Sequence, residues 1–190
     1  MFNERIRFHS NFALDFVLKI VLSTTLICFL APVSFELSAE LNATLQTLAI
    51  LLCACAFGMK IGFFSALLYV IIGALGAPVF DGHASGIEVV IGPHGGFFFG
   101  FLVAAAVAGF LSEKSAPRKF IHNLAIWILA HLLILALGFG WLKSFDPSID
   151  IWLETKPVLP GMFIKIAIGI LVLHILGRFI DRNEQRQAKI

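Results

Sequence analysis

Between residues 12 and 180 the sequence is a series of long apolar runs, interrupted by short polar or glycine-rich segments. A run of about 20 apolar residues is what a helix needs to cross a bilayer. In hydrocarbon only helices and closed barrels satisfy their backbone polar groups. The runs show no alternation of apolar and polar residues, which argues against a β-barrel. Charged residues make up 14% of the chain and hydrophobic ones 59%. Soluble domains carry about a quarter charged residues. The expected fold is an all-α integral membrane protein, one domain over 1–190. Six transmembrane helices are expected at about 12–31, 41–57, 60–75, 95–112, 120–142 and 158–180.

The first run holds Asp15 and Lys19 and lacks a small-x-small cleavage site, so it reads as a retained helix. Those two residues are four apart and can pair on one face near the membrane surface. Six spans put both termini on one side. The segments 1–11, 58–60, 113–119 and 178–190 carry Arg5, Arg7, Lys60, Lys114, Arg118, Lys119, Arg178, Arg182, Arg186 and Lys189, ten cations in all. The opposite loops carry two, Lys143 and Lys156. This bias places both termini in the cytoplasm. The segments 33–40 and 143–157 read as polar external loops. The net charge of +2 comes with no basic, aromatic-interleaved face, which argues against a nucleic-acid partner. Cys28, Cys53 and Cys55 lie in apolar runs at no redox or zinc spacing and read as packing residues.

Between the third and fourth spans lies a stretch of a different kind, Gly73 to Phe101. It is rich in glycine, contains Pro78 and Pro93, and holds Asp81, His83, Ser85, Glu88 and His94. Non-helical backbone at membrane depth persists only when buried in protein or lining a cavity. The stretch therefore reads as the external wall or lid of a binding site. Asp81, His83, Glu88 and His94 match no standard metal spacing. Ser85 beside His83 or His94 lacks a nucleophile elbow. No phosphate-binding P-loop occurs. No cofactor is expected.

Lys165 lies one to two turns inside the sixth span. An ammonium there either snorkels to the interface or faces a cavity, where it would meet an anionic group. Thr44 and Gln46, near the outer end of the second span, read equally as helix-end polar groups or as ligand contacts. Tyr69 is the chain's single tyrosine, on the third span, and is as often structural as functional. His131 and His174 read as inter-helix hydrogen-bonding groups. The aromatic run Phe97, Phe98, Phe99 and Phe101 reads as lipid-facing or core packing, with part of it able to stack on a ring.

The segments LGAPVFDG, IGPHGGFFFGF, TLQTLAILL, FGMKIG, ALLYVIIGALG and LPGMFIK together resemble the BioY family, the biotin-binding S components of energy-coupling-factor vitamin transporters. The similarity is dense from Thr44 to Leu111 and returns at 159–165. The resemblance implies a biotin-binding transporter subunit of a bacterial inner membrane that captures biotin from outside. It is not an enzyme on this reading. Partners would be biotin, the bilayer, and an energy-coupling module of a transmembrane T subunit and ATPases, or else the subunit acts alone or as an oligomer. Carried over by position, Gln46, Tyr69, Pro78, Phe80, Gly92, Pro93, Gly95, Gly96 and Lys165 match. Lys165 would be a polar contact to biotin, plausibly to its carboxylate. The expected substrate-binding set is Lys165, Gln46, Tyr69, Phe80, Asp81, His94, Gly95, Gly96 and Met162. Met162 stands where the family usually has Asp, His94 where it has Thr, Phe97 where it has Tyr, and Asn42 where Pro is common. With the usual Asp replaced, Asp81 or Glu88 offers a substitute acceptor for an N–H of the ureido ring. The first span lacks the A-x-x-x-A docking spacing of the family; Thr24 and Cys28 are its small residues four apart. The alternatives are an S-like transporter for another small vitamin, or a membrane-embedded hydrolase or metal-dependent enzyme using the loop's His, Asp, Glu and Ser.

Overall fold

The structure, a computed structural model, describes residues 6–38, 41–114 and 120–187. Of the groups used for orientation, Arg5, Arg118, Lys119 and Lys189 lie outside the described residues.

Helix α1 is Phe12–Leu30. Asn11 caps it: its Oδ1 accepts from the Ala13 N–H at 2.9 Å, supplying a partner the first turn lacks. Residues 34–38 and 41–44, expected as a loop and the start of a helix, form two paired strands instead. Strand β1, Ser34–Ser38, pairs antiparallel with β2, Leu41–Thr44, with Ser34 opposite Thr44 and Glu36 opposite Asn42. Asn and Thr are weak helix formers, and the ladder gives their backbone groups partners. The Leu45 N–H donates to Val33 O at 2.9 Å and closes the hairpin onto the next helix. The second helix therefore starts later than expected: α2 is Gln46–Phe57.

Gly58 alone separates α2 from α3, Met59–Ala74. Its φ of +92° is a conformation that side-chain-bearing residues rarely adopt, which lets two helices meet across one residue. Between 75 and 94 the chain forms a 3-10 turn at Asp81–His83 and a short helix α4, Ile87–Ile91. Helix α5 is Gly95–Glu113 and α6 is Phe120–Phe145, longer than expected at its far end. The expected 143–157 loop contains a short helix α7, Ile151–Thr155, capped by Asp150. Helix α8 is Val158–Gln187 and carries the charged tail into its last turns. Just beyond α6, the Ser148 hydroxyl and backbone N–H hold the Asp146 carboxyl below its ordinary range.

Among the described residues four helices are long and apolar enough to cross a membrane: α1, α5, α6 and the Val158–Arg182 part of α8. Helices α2 and α3 are apolar but shorter. The chain is a multi-pass helical membrane protein.

Helix α5 lies along α6 and also packs on α2 and α3. Helix α1 packs chiefly on α3, and α8 touches α2, β2 and α6. At one end of the bundle the Met59 N–H donates to Glu113 Oε1 at 2.9 Å, tying the Gly58 turn to the end of α5. At the other, Trp141 Nε1 donates to Gly92 O at 3.1 Å, tying the end of α6 to the segment before α5.

Helix α1 shows how lipid reverses the usual pattern. Its buried residues are Asp15, Lys19, Ser23, Thr24 and Ile27, while Phe12, Val17, Leu22 and Phe29 are exposed. Asp15 and Lys19 form an ion pair at 2.6 Å, as their spacing suggested, yet Lys19 is only 1% exposed. Asp15 Oδ1 also accepts from the Phe8 N–H at 2.7 Å. Thr24 Oγ1 donates to Ser65 O at 3.2 Å and Ser65 Oγ to Ile20 O at 3.4 Å, so α1 and α3 exchange hydrogen bonds. Such bonds supply part of what the hydrophobic effect cannot supply between helices in lipid.

Candidate binding site

A cavity of about 430 Å³ opens at the bundle end that carries the hairpin and the 76–94 segment. That lies in the range of small-molecule sites. Its walls come from the end of β2 (Thr44), the start of α2 (Gln46, Thr47), the cap before α5 (Phe80, Asp81, Ala84, Val89, His94), α5 itself (Phe97, Phe98, Phe101), α6 (His131, Ile134, Leu135) and the start of α8 (Val158, Met162, Lys165).

Phe80 is the inner anchor of the cap. It is 1% exposed and packs edge-on to Tyr69 at 5.5 Å and against Phe98 at 4.6 Å. Gly73 makes room for it; a Cβ at that position would enter the Phe80 ring. Phe98 continues to Phe101 at 5.7 Å, giving a continuous aromatic wall. Phe97 packs edge-on to Phe139 at 5.3 Å, and the exposed His94 ring lies near-parallel to Phe97 at 6.3 Å. Phe99 points outward and is exposed.

The polar groups are few and fixed. Gln46 Nε2 donates to Tyr69 Oη at 2.7 Å, and Tyr69 Oη donates to Val79 O at 3.2 Å. This relay locks the α2 side chain to the cap and leaves the Gln46 carbonyl oxygen as an acceptor at the cavity wall. Lys165 is 9% exposed and makes no hydrogen bond or ion pair with a described residue. Asp81 lines the same cavity. His131 Nδ1 lies 2.9 Å from Trp127 O, and its ring stacks on Trp127.

Of the residues singled out from the sequence, the fold brings Gln46, Phe80, Asp81, His94, Met162 and Lys165 to one cavity. Tyr69 stands behind the wall and positions Gln46. Gly95 and Gly96 are buried beneath Trp141, where a side chain would meet the indole or backbone, so their place is helix packing. Glu88 and His83 are exposed and outside the lining. Among the described residues no group of three or more His, Cys, Asp or Glu could hold a metal ion. The sequence reading missed Thr47, Ile134 and Leu135, and it read His131 as an inter-helix hydrogen-bonding group, whereas Nδ1 meets Trp127 O on its own helix and the ring lines the cavity. A signal existed for His131, since it lies one helical turn from Trp127 on α6, but an intramembrane His more often bonds a neighbouring helix.

Fold and site together define a membrane-embedded binding protein: a helical bundle with a mostly apolar cavity under a glycine-bearing cap, polar at a few fixed points. The chain belongs to the BioY family, whose match covers residues 6–182. It is 38% identical over 158 residues to the biotin transporter BioY2 of Lactococcus lactis subsp. cremoris (strain MG1363), covering 80% of this chain and 83% of that one. It is 37% identical over 122 residues to the biotin transporter BioY of Thermotoga maritima, covering 64% and 70%. In fold it is similar to the crystal structure of the S-component for biotin from an ECF-type ABC transporter. The TM-score is 0.74 at 20% identity, over 90% of this chain and 94% of that one.

Proposed function

We propose that this chain is a biotin-binding transporter subunit that captures biotin from the external face. The observation that carries this is Lys165. A nearly buried ammonium in a membrane helix costs several kcal/mol unless it meets an anion or a polar cavity. Here it fronts a mostly apolar cavity of about 430 Å³ in a BioY-family chain. Biotin offers what such a cavity lacks: a carboxylate for Lys165, an apolar chain and ring for the Phe wall, and a ureido head for the remaining polar groups. We read six spans, α2 and α3 being the two short ones, in a bacterial inner membrane; given six, the ten-to-two cation bias supports both termini in the cytoplasm. On this topology the cavity opens outward. Inward release then requires a conformational change driven by a coupling partner, a T subunit with ATPases, or by other copies of the chain. Relatives named as transporters argue against the membrane-embedded hydrolase or metal enzyme.

Purified protein in detergent tests the reading. Biotin binds the folded form and should raise the unfolding temperature in a dose-dependent way. No shift with biotin, together with a shift produced by another small vitamin, would replace this reading by the alternative ligand. A shift with Zn²⁺ that His83→Ala and His94→Ala abolish would favour the enzyme.

A further inference from the structure

His131 is 4% exposed, lines the cavity, and its Nε2 has no hydrogen-bond partner. Its other nitrogen settles the tautomer. Nδ1 faces Trp127 O at 2.9 Å, and a carbonyl oxygen only accepts, so Nδ1 carries the hydrogen. The neutral ring then keeps Nε2 as a lone-pair acceptor, buried at the cavity wall. Stacking on Trp127, which is itself 0% exposed, fixes the ring plane. Leaving such an atom unmatched in a low-dielectric wall is costly, and a ligand N–H removes that cost.

Among the other polar groups of the cavity only the Gln46 carbonyl oxygen is also a buried acceptor, on the α2 wall, where the bond from its Nε2 to Tyr69 holds it; the rest do not supply the same thing. Lys165 only donates. Thr44 and Thr47 carry hydroxyls that donate as readily as they accept, and Met162 offers a weak thioether acceptor. Asp81 accepts, but it is exposed to water at the cap. His131 is thus a buried acceptor held rigidly in place. We infer that His131 Nε2 takes an N–H of the ligand's cyclic urea and so determines which ligands the cavity accepts. The inference rests on the biotin reading above. A ligand with an ether oxygen or a methylated nitrogen at that position would leave Nε2 unmatched and be rejected.

The test compares biotin with its two mono-N-methyl ureido derivatives by calorimetric titration of the full chain in detergent. The parent should discriminate against one derivative by roughly 10- to 100-fold. His131→Phe, which keeps the volume but not the acceptor, should weaken biotin by a similar factor and bind that derivative about as well as biotin. His131→Gln, which restores an acceptor oxygen, should recover part of the discrimination. Uniform weakening of all three ligands in His131→Phe would make His131 structural and overturn the inference. So would loss of discrimination in Asp81→Asn instead. If the parent binds both derivatives as tightly as biotin, the inference falls without any variant, while the biotin reading stands. Absence of biotin binding by the parent overturns both.

Discussion

Asp15 and Lys19 place two opposite charges on the buried side of α1, one turn apart. Removing one partner takes the neutralising charge away from the other on a buried helix face, which costs more than the pair contributes net. Lys19→Met should lower the unfolding temperature in detergent, and Asp15→Asn with Lys19→Met should recover most of it. Equal loss in the single and double variants would show that the pair is not coupled. Lys165 behaves differently, because the partner its ammonium serves is the ligand. Lys165→Met should leave the unliganded protein at least as stable and weaken biotin by roughly 10- to 150-fold. It should not weaken biotin methyl ester further. If biotin affinity is unchanged, the carboxylate contact is wrong. Both residues could be picked out from the sequence because a charge in an apolar run is conspicuous. His131 could be noticed as well, but not its role, because its neutral ring is compatible with either a helix contact or a ligand contact.

Helix–helix seams here rest on glycines whose missing Cβ is occupied by a neighbour. On α3, a Cβ at Gly62 would lie 2.6 Å from Ala54 Cα on α2, and backbone cannot swing aside as a side chain can. Gly62→Ala should destabilise the protein by roughly 1–3 kcal/mol, measured by unfolding in detergent. It should have little effect on biotin affinity in the molecules that remain folded. A variant as stable as the parent would mean that α2 and α3 can separate freely. At this scale the sequence told most where it was least ambiguous: the apolar runs gave α1, α3 and α5 to within a few residues. It told least at 33–44, where a short polar-apolar mix fits a loop, a helix end or a strand, and only pairing with the other half of the hairpin decides. Nor could it say which helix face points inward. Lipid accepts apolar residues as readily as the core does, so the contrast that marks a buried face in water vanishes.

For the molecule as a whole, the two ends of the bundle are held by different devices. One joins the Gly58 turn to Glu113; the other gathers the end of the hairpin, the 76–94 cap and the start of α8 around the cavity, with Trp141 of α6 tied to the cap. The proposed orientation puts the second end outside. A cysteine replacing the exposed Ser148 should react with a membrane-impermeant maleimide in intact cells, and one replacing the exposed Lys114 should react only after lysis. The opposite pattern would invert the topology. Cys53 and Cys55 are buried, and the half-buried Cys28 is replaced by Ser in both reporters to keep the background low. The polar seam between α1 and α3 also bears on how the chain is made. During synthesis α1 emerges first, and the carbonyl that Thr24 binds, Ser65 O, follows 41 residues later. Until then the Asp15–Lys19 pair, closed within α1 itself, is what lets that helix wait in the bilayer as an electrically neutral rod.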